Sequence, residues 1–139
     1  MSGPFILLDT CAALWTATDE MALSEDAAAT IAEAERNGGS ILISPITAWE
    51  VGLLVSRGRL ALATSPLRWF EGLLDAGLIL APLTPEILIH SSFLPGGVLR
   101  DPADRTLATT ARTMGCRLMT RDRILLDYAR EGHLQAVPC

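Results

Sequence analysis

Four acidic residues, Asp9, Glu50, Asp104 and Asp122, hold the chemistry open to this sequence. Asp9 ends the apolar run Phe5-Ile6-Leu7-Leu8. Glu50 closes Ser44-Pro45-Ile46-Thr47-Ala48-Trp49-Glu50, and Asp104 lies in Asp101-Pro102-Ala103-Asp104-Arg105. Asp122 follows Leu118-Met119-Thr120-Arg121. In an alternating β/α chain such positions converge on the crevice at the carboxyl ends of the strands. Carboxylates gathered there repel one another unless a cation sits among them. A hard divalent ion such as Mg²⁺ suits that set, because it takes oxygen ligands and keeps positions open for water or substrate.

Each acid also has an ordinary structural explanation. Asp9 can cap a helix beginning at Thr10, Asp101 one beginning at Pro102, and Asp122 a short one after it. Asp104 suits the dipole of the same first turn as Asp101. Glu50 resists this explanation, since it lies inside a predicted helix among Trp49, Val51, Leu53 and Leu54. The joint pattern favours chemistry: clustered acids cost stability unless paired or bound to a cation.

The elements that must position these residues can be laid out from apolar runs and stop signals. Strands are expected at 5–8, 41–43, 78–83 and 116–119, with an edge strand at 134–137. Helices are expected at 10–17, 23–37, 45–57, 66–76 and 84–91, then from Pro102 to Met114 and from 122 to 130. Ser44-Pro45, Thr84-Pro85 and Asp101-Pro102 are cap-then-proline entries, and Gly58, Gly77 and Gly115 are stops. Residues 94–99, with Pro95-Gly96-Gly97, read as a mobile loop. Strands alternating with helices imply an α/β chain with a central parallel sheet and crossover connections.

The chain has 139 residues, half of them hydrophobic, enough for the core of one domain spanning 1–139. No apolar stretch approaches the roughly 20 residues that span a bilayer, so no membrane partner is expected. The opening Met1-Ser2-Gly3-Pro4 lacks a basic n-region, and a cytoplasmic protein is expected. Cys11, Cys116 and Cys139 have no metal-like spacing and read as reduced thiols, two buried and one terminal. The formal net charge is −5, and all 11 basic residues are Arg. The absence of Lys excludes a P-loop, a Schiff-base enzyme and a receiver domain that uses a Lys beside its acidic pocket. Net acidity alone argues against nucleic acid, although acids held by a metal would be neutralised where it matters.

Taken in order, Leu7-Leu8-Asp9-Thr10-Cys11, Ser44 to Glu50, Asp101 to Ala111 and Met119-Thr120-Arg121-Asp122 resemble the four motifs of PIN domains. The nearest resemblance is to the VapC-like toxins of bacterial toxin–antitoxin pairs, and it covers nearly the whole chain. Each motif is weak alone, but the ordered set is specific. The resemblance implies a three-layer α/β/α sandwich and RNA cleavage dependent on Mg²⁺ or Mn²⁺, with 5′-phosphate and 3′-hydroxyl products. It carries the acidic quartet onto Asp9, Glu50, Asp104 and Asp122, with Asp9, Asp104 and Asp122 as metal ligands. Glu50 would complete the shell or orient the attacking water. Thr120 matches a supporting hydroxyl residue, and Asp101 a cap or outer-shell group. A cognate antitoxin and a homodimer are also implied.

Any RNA contact must come from Arg. Arg100, Arg105, Arg121 and Arg123 flank the expected crevice and could hold phosphates or pair with surplus carboxylates. Trp15, Trp49 and Trp69 fall on predicted helices, where packing is the expected role, with Trp49 fixing its helix against a neighbour. His90 and His133 are isolated and read as surface or boundary residues. Two other functions compete. A phosphatase with an aspartyl nucleophile would begin with Asp-x-Asp, and Asp9-Thr10-Cys11 lacks the second acid. A non-catalytic binding module would be marked by a broken quartet, and this quartet is complete.

Overall fold

Three buried triplets form the centre of the molecule. Ile6–Leu8 (β1) and Ile41–Ile43 (β2) are wholly buried, as are Leu118, Met119 and Thr120 of Arg117–Thr120 (β4). Strands buried on both faces read as continuous apolar runs, which is the mark of a parallel sheet covered by helices on each side. The computed structural model describes residues 5–16, 23–97 and 99–139. The end of the first predicted helix at Ala17, and Val98 of the expected loop, lie outside them.

Two further strands, Ile79–Leu80 (β3) and Ala136–Pro138 (β5), complete a five-stranded sheet of order β3-β2-β1-β4-β5. All neighbours pair in parallel, with Leu7 level with Leu42 on one side and Leu118 on the other. The chain builds outward from β1 through β2 to β3, then returns to place β4 on the opposite flank of β1. That reversal leaves a crevice outside the carboxyl ends of β1 and β4, where such sheets bind ligands.

Thr10–Thr16 (α1) follows β1 directly, and Glu25–Arg36 (α2) leads to β2. Pro45–Ser56 (α3) and Pro66–Asp75 (α4) precede β3, and Pro85–His90 (α5) follows it. Pro102–Met114 (α6) leads to β4, and Arg123–Arg130 (α7) connects β4 to β5. Strand alternation divides the core in two. Ile6, Leu8, Ile41, Ile43 and Met119 face Ala12, Ala27, Phe70 and Leu73 of α1, α2 and α4. Leu7, Leu42 and Leu118 face Leu107, Ala111, Leu125 and Tyr128 of α6 and α7. The expected three-layer α/β/α sandwich with a parallel sheet is therefore the fold.

The cap signals hold at residue level. Ser44, Thr84 and Asp101 accept hydrogen bonds from Ile46, Ile87 and Ala103 amides, and each is followed by a proline. Gly115 ends α6 in the left-handed conformation at φ 66°, which suits a residue without Cβ. The strand expected at 78–83 is shorter. It spans Ile79–Leu80, and Ala81 amide still donates to Ile43 carbonyl beyond it. The segment after Ser91 is irregular as expected, yet it has anchors that a mobile loop lacks. Tyr128 hydroxyl donates to Pro95 carbonyl at 2.6 Å, and Leu99 is buried with its carbonyl bonded by Arg105.

Candidate active site

The crevice between β1 and β4 is a cavity of about 330 Å³ lined by Asp9, Glu50, Asp101, Asp104 and Asp122, with Thr10, Cys11, Trp15, Leu107 and Arg121. All four acids of the quartet, separated by up to 113 positions in the chain (122 − 9), therefore meet there. Four segments deliver them: the β1–α1 junction, the middle of α3, the first turn of α6, and the β4–α7 junction.

Capping and chemistry coincide here instead of competing. Asp9 Oδ1 accepts from Ala12 amide at 2.7 Å, which holds the start of α1, while Oδ2 accepts from Thr120 hydroxyl at 2.5 Å. Thr120 Oγ1 also accepts from Asp122 amide at 3.0 Å, so one hydroxyl ties both acids together. Asp122 caps α7 through Ile124 amide at 2.7 Å, and Asp101 caps α6 through Ala103 amide at 2.9 Å. A carboxylate fixed by its own helix start enters the cavity already oriented.

Glu50 has no cap to hold it, and its partner lies far off in sequence. Thr10 hydroxyl donates to Glu50 Oε1 and lies 3.2 Å from Thr47 Oγ1, joining α1 to α3. Sequence reasoning did not single out Thr10. Its one signal is a hydroxyl directly after Asp9, and the partner 40 positions away appears only in the fold.

The electrostatics follow from burial and crowding. Burial raises the Asp9 carboxyl, and Asp122 adds to this, while Thr120, the Ala12 amide and Arg121 oppose it. Burial also raises Glu50, with Asp101 and Asp9 adding and Thr10 opposing. Asp104 has no such donor to offset burial. Desolvation, then Asp101, Asp122, Glu50 and Asp9, push it up to about 7. A proton or a cation relieves that repulsion.

The donor chemistry fits a hard divalent cation: carboxylate oxygens from several elements around one shared cavity. The acids ring the cavity without closing on a point. Among the described residues, no three acid, histidine or cysteine side chains stand close enough to grip one ion as they are.

The arginines part company. Arg121 lines the cavity, with its guanidinium carbon 3.7 Å from the centre of the Trp15 ring. Arg105 does not reach it. Its Nε donates to Ser91 carbonyl at 2.7 Å and its Nη1 to Leu99 carbonyl, so it fastens α6 to the segment before it. Arg100 and Arg123 are exposed and outside the cavity lining.

Three other expectations need correction or detail. Cys11 is exposed at the cavity and not buried, because α1 turns its first residues toward the crevice; Cys116 is buried, and all three thiols are free. Trp49 is 53 % exposed and lines an apolar groove with Ile46, Leu88 and Pro102, so it does not fix α3 in the core. His90 is exposed and lies 4.0 Å from Glu86, and His133 packs its ring 4.7 Å from that of Tyr128; neither lines the acidic cavity.

A parallel five-stranded sheet with acids massed at its switch point defines a class, and the chain falls within it. Residues 6–131 match the PIN domain, and the chain belongs to that family. It is 31% identical over 123 residues to Ribonuclease VapC22 of Mycobacterium tuberculosis, covering 88% of this chain and 91% of that protein. Its fold is similar to VapBC2 from Rickettsia felis, solved bound to a DNA fragment from their promoter. That match has TM-score 0.68 and 14% identity, covering 96% of this chain and 98% of the other. It is also similar to the DNA-bound VapBC from Salmonella typhimurium, with TM-score 0.65 and 19% identity, covering 99% and 98%. Among the described residues, no helix is long and apolar enough to cross a membrane.

Proposed function

We propose that this protein is a divalent-metal-dependent endoribonuclease, a single PIN-like domain over 1–139, acting as the toxin of a bacterial toxin–antitoxin pair in the cytoplasm. The observation that carries the reading is the acidic cavity itself: Asp9, Glu50, Asp104 and Asp122 share one space, and Asp104 is raised to about 7 by burial and its neighbours. The similarity to a protein named Ribonuclease VapC22 supports RNA as substrate.

Asp9, Asp104 and Asp122 are the residues that would hold Mg²⁺, with Mn²⁺ as the alternative. Bound there, the ion would supply a water of lowered pKa and offset charge on the phosphoryl oxygens. The chain's own groups do the rest. Thr120 and the Ala12 amide keep Asp9 in one orientation. Thr10 aims Glu50, whose raised carboxyl suits a group that orients the attacking water and takes up its proton. Leu107 lines the cavity among the acids, which lowers the local dielectric and strengthens each charge interaction.

The solved VapBC relatives support a cognate antitoxin as partner, and a net charge of −5 suits a basic antitoxin segment. Exposed Trp49, Leu88, Ile89 and Phe93 offer apolar area for a homodimer.

The test is to incubate purified protein with structured and unstructured RNA in Mg²⁺, Mn²⁺ or EDTA. Internal cuts that require a divalent ion are expected. Cleavage that survives EDTA, or no cleavage with either ion, contradicts the proposal.

A further inference from the structure

We infer that Trp15 and Arg121 form a paired anchor for a phosphate of the RNA strand entering the acidic cavity, with Trp15 as the positioning residue that holds the Arg121 guanidinium. The inference rests on the ribonuclease reading and adds a binding element to it.

A phosphodiester approaching five carboxylates meets repulsion unless a cationic group offsets them locally. Arg121 is the basic residue lining this cavity among the described residues. Its backbone is held between two fixed neighbours, Thr120 bonded to Asp9 and Asp122 capping α7. Its side chain crosses to α1, with the guanidinium carbon 3.7 Å from the Trp15 ring centre. Nε donates to the backbone oxygen of Cys139 at 3.0 Å. One ring face and Nε are therefore committed, and the guanidinium also meets the Cys139 thiol, a weak acceptor that a phosphate can displace.

Neither partner is one of the five acids that line the cavity. Among the described residues, Arg121 forms no ion pair with any of those five acids. An arginine beside five acids that forms no direct pair with any of them keeps its charge available. Held by an indole face and a Cys139 backbone oxygen, it is also pre-oriented, so less freedom is lost on meeting a phosphate. The guanidinium fork matches two phosphate oxygens at once. Arg105 cannot take this part, because two carbonyls occupy its guanidinium.

The experiment measures binding of a labelled single-stranded RNA oligonucleotide at several KCl concentrations with Mg²⁺ present. The parent is the full chain carrying Glu50→Gln, which stops cutting and keeps Asp9, Asp104 and Asp122. Adding Arg121→Gln is expected to weaken binding about tenfold and to make the log–log salt slope shallower by about 0.7, the loss of one phosphate contact on a single strand. Trp15→Leu is expected to weaken binding about threefold, in line with an exposed cation–π contact. Trp15→Phe should restore most of it, and Trp15→Leu with Arg121→Gln should bind no worse than Arg121→Gln alone. Unchanged affinity and slope in Arg121→Gln, or additive losses in the double variant, would overturn the anchor while leaving the ribonuclease reading standing. A parent that binds no RNA overturns both.

Discussion

Thr120 hydroxyl donates to Asp9 Oδ2 at 2.5 Å, joining residues 111 positions apart across the junction of β1 and β4. Both side chains are buried, and the same hydroxyl accepts from Asp122 amide. One small group thus fixes two of the four acids at the point where the strand order reverses. Removing it strands a buried carboxylate oxygen and a backbone N–H. Thr120→Val is expected to lower unfolding free energy by roughly 1–3 kcal/mol, the usual cost of an unsatisfied buried group. Urea unfolding checks this, with Thr120→Ser as the variant that should stay close to wild type.

Asp104 has the crowded carboxyl, raised to about 7 against 3.8 in an isolated side chain. The fold therefore favours its protonated form. That contribution is fully present below about pH 4 and is lost as pH rises through about 7. The raised carboxyls of Asp9 and Glu50 act in the same direction. The metal-free protein should accordingly melt at lower temperature at pH 8 than at pH 5.5. Asp104→Asn should flatten that dependence. Added Mg²⁺ should raise the melting temperature more at pH 8 than at pH 5.5, because the ion takes the place of the lost protons. A thermal scan series in EDTA and in Mg²⁺ reads all three effects.

Thr10 holds Glu50 from a neighbouring helix. Thr10→Val should leave the sheet and its core intact and slow RNA cleavage by about tenfold, the scale seen when a supporting partner of a site residue is removed. Steady-state rates beside a circular dichroism spectrum check this. A rate equal to wild type would mean that Glu50 needs no such partner.

Arg105 and Arg121 should behave as opposites. Arg105 supplies charged donors to the carbonyls of Ser91 and Leu99. Arg105→Gln is expected to cost about 1–3 kcal/mol of stability and to leave the salt dependence of RNA binding unchanged. A shallower salt slope in Arg105→Gln would show that it reaches the substrate after all.

Much of this site was legible in the chain because local chemistry marks it. Ser44-Pro45 and Asp101-Pro102 announce their helix starts without help from the rest of the fold, and the triplets at 6–8 and 41–43 could only be buried. Parallel strands then oblige Asp9 and Asp122 to share an edge. Side-chain direction was not legible. Arg105 and Arg121 are equally close to an acid in sequence, yet one turns to carbonyls and the other to an indole. Those choices depend on α5 and α1, which no local pattern relates to them. Thr10 with Glu50 is the same case, a contact made only once α3 packs beside α1.

The reading stands or falls on whether Asp9, Asp104 and Asp122 hold a cation in common. The direct measurement is Mn²⁺ binding by electron paramagnetic resonance, following loss of the free-ion signal as protein is added. Wild type should take up Mn²⁺, Mg²⁺ should compete for it, and Asp9→Asn and Asp104→Asn should each bind at least about tenfold more weakly. Uptake undiminished in both variants, or no uptake by wild type, would contradict it.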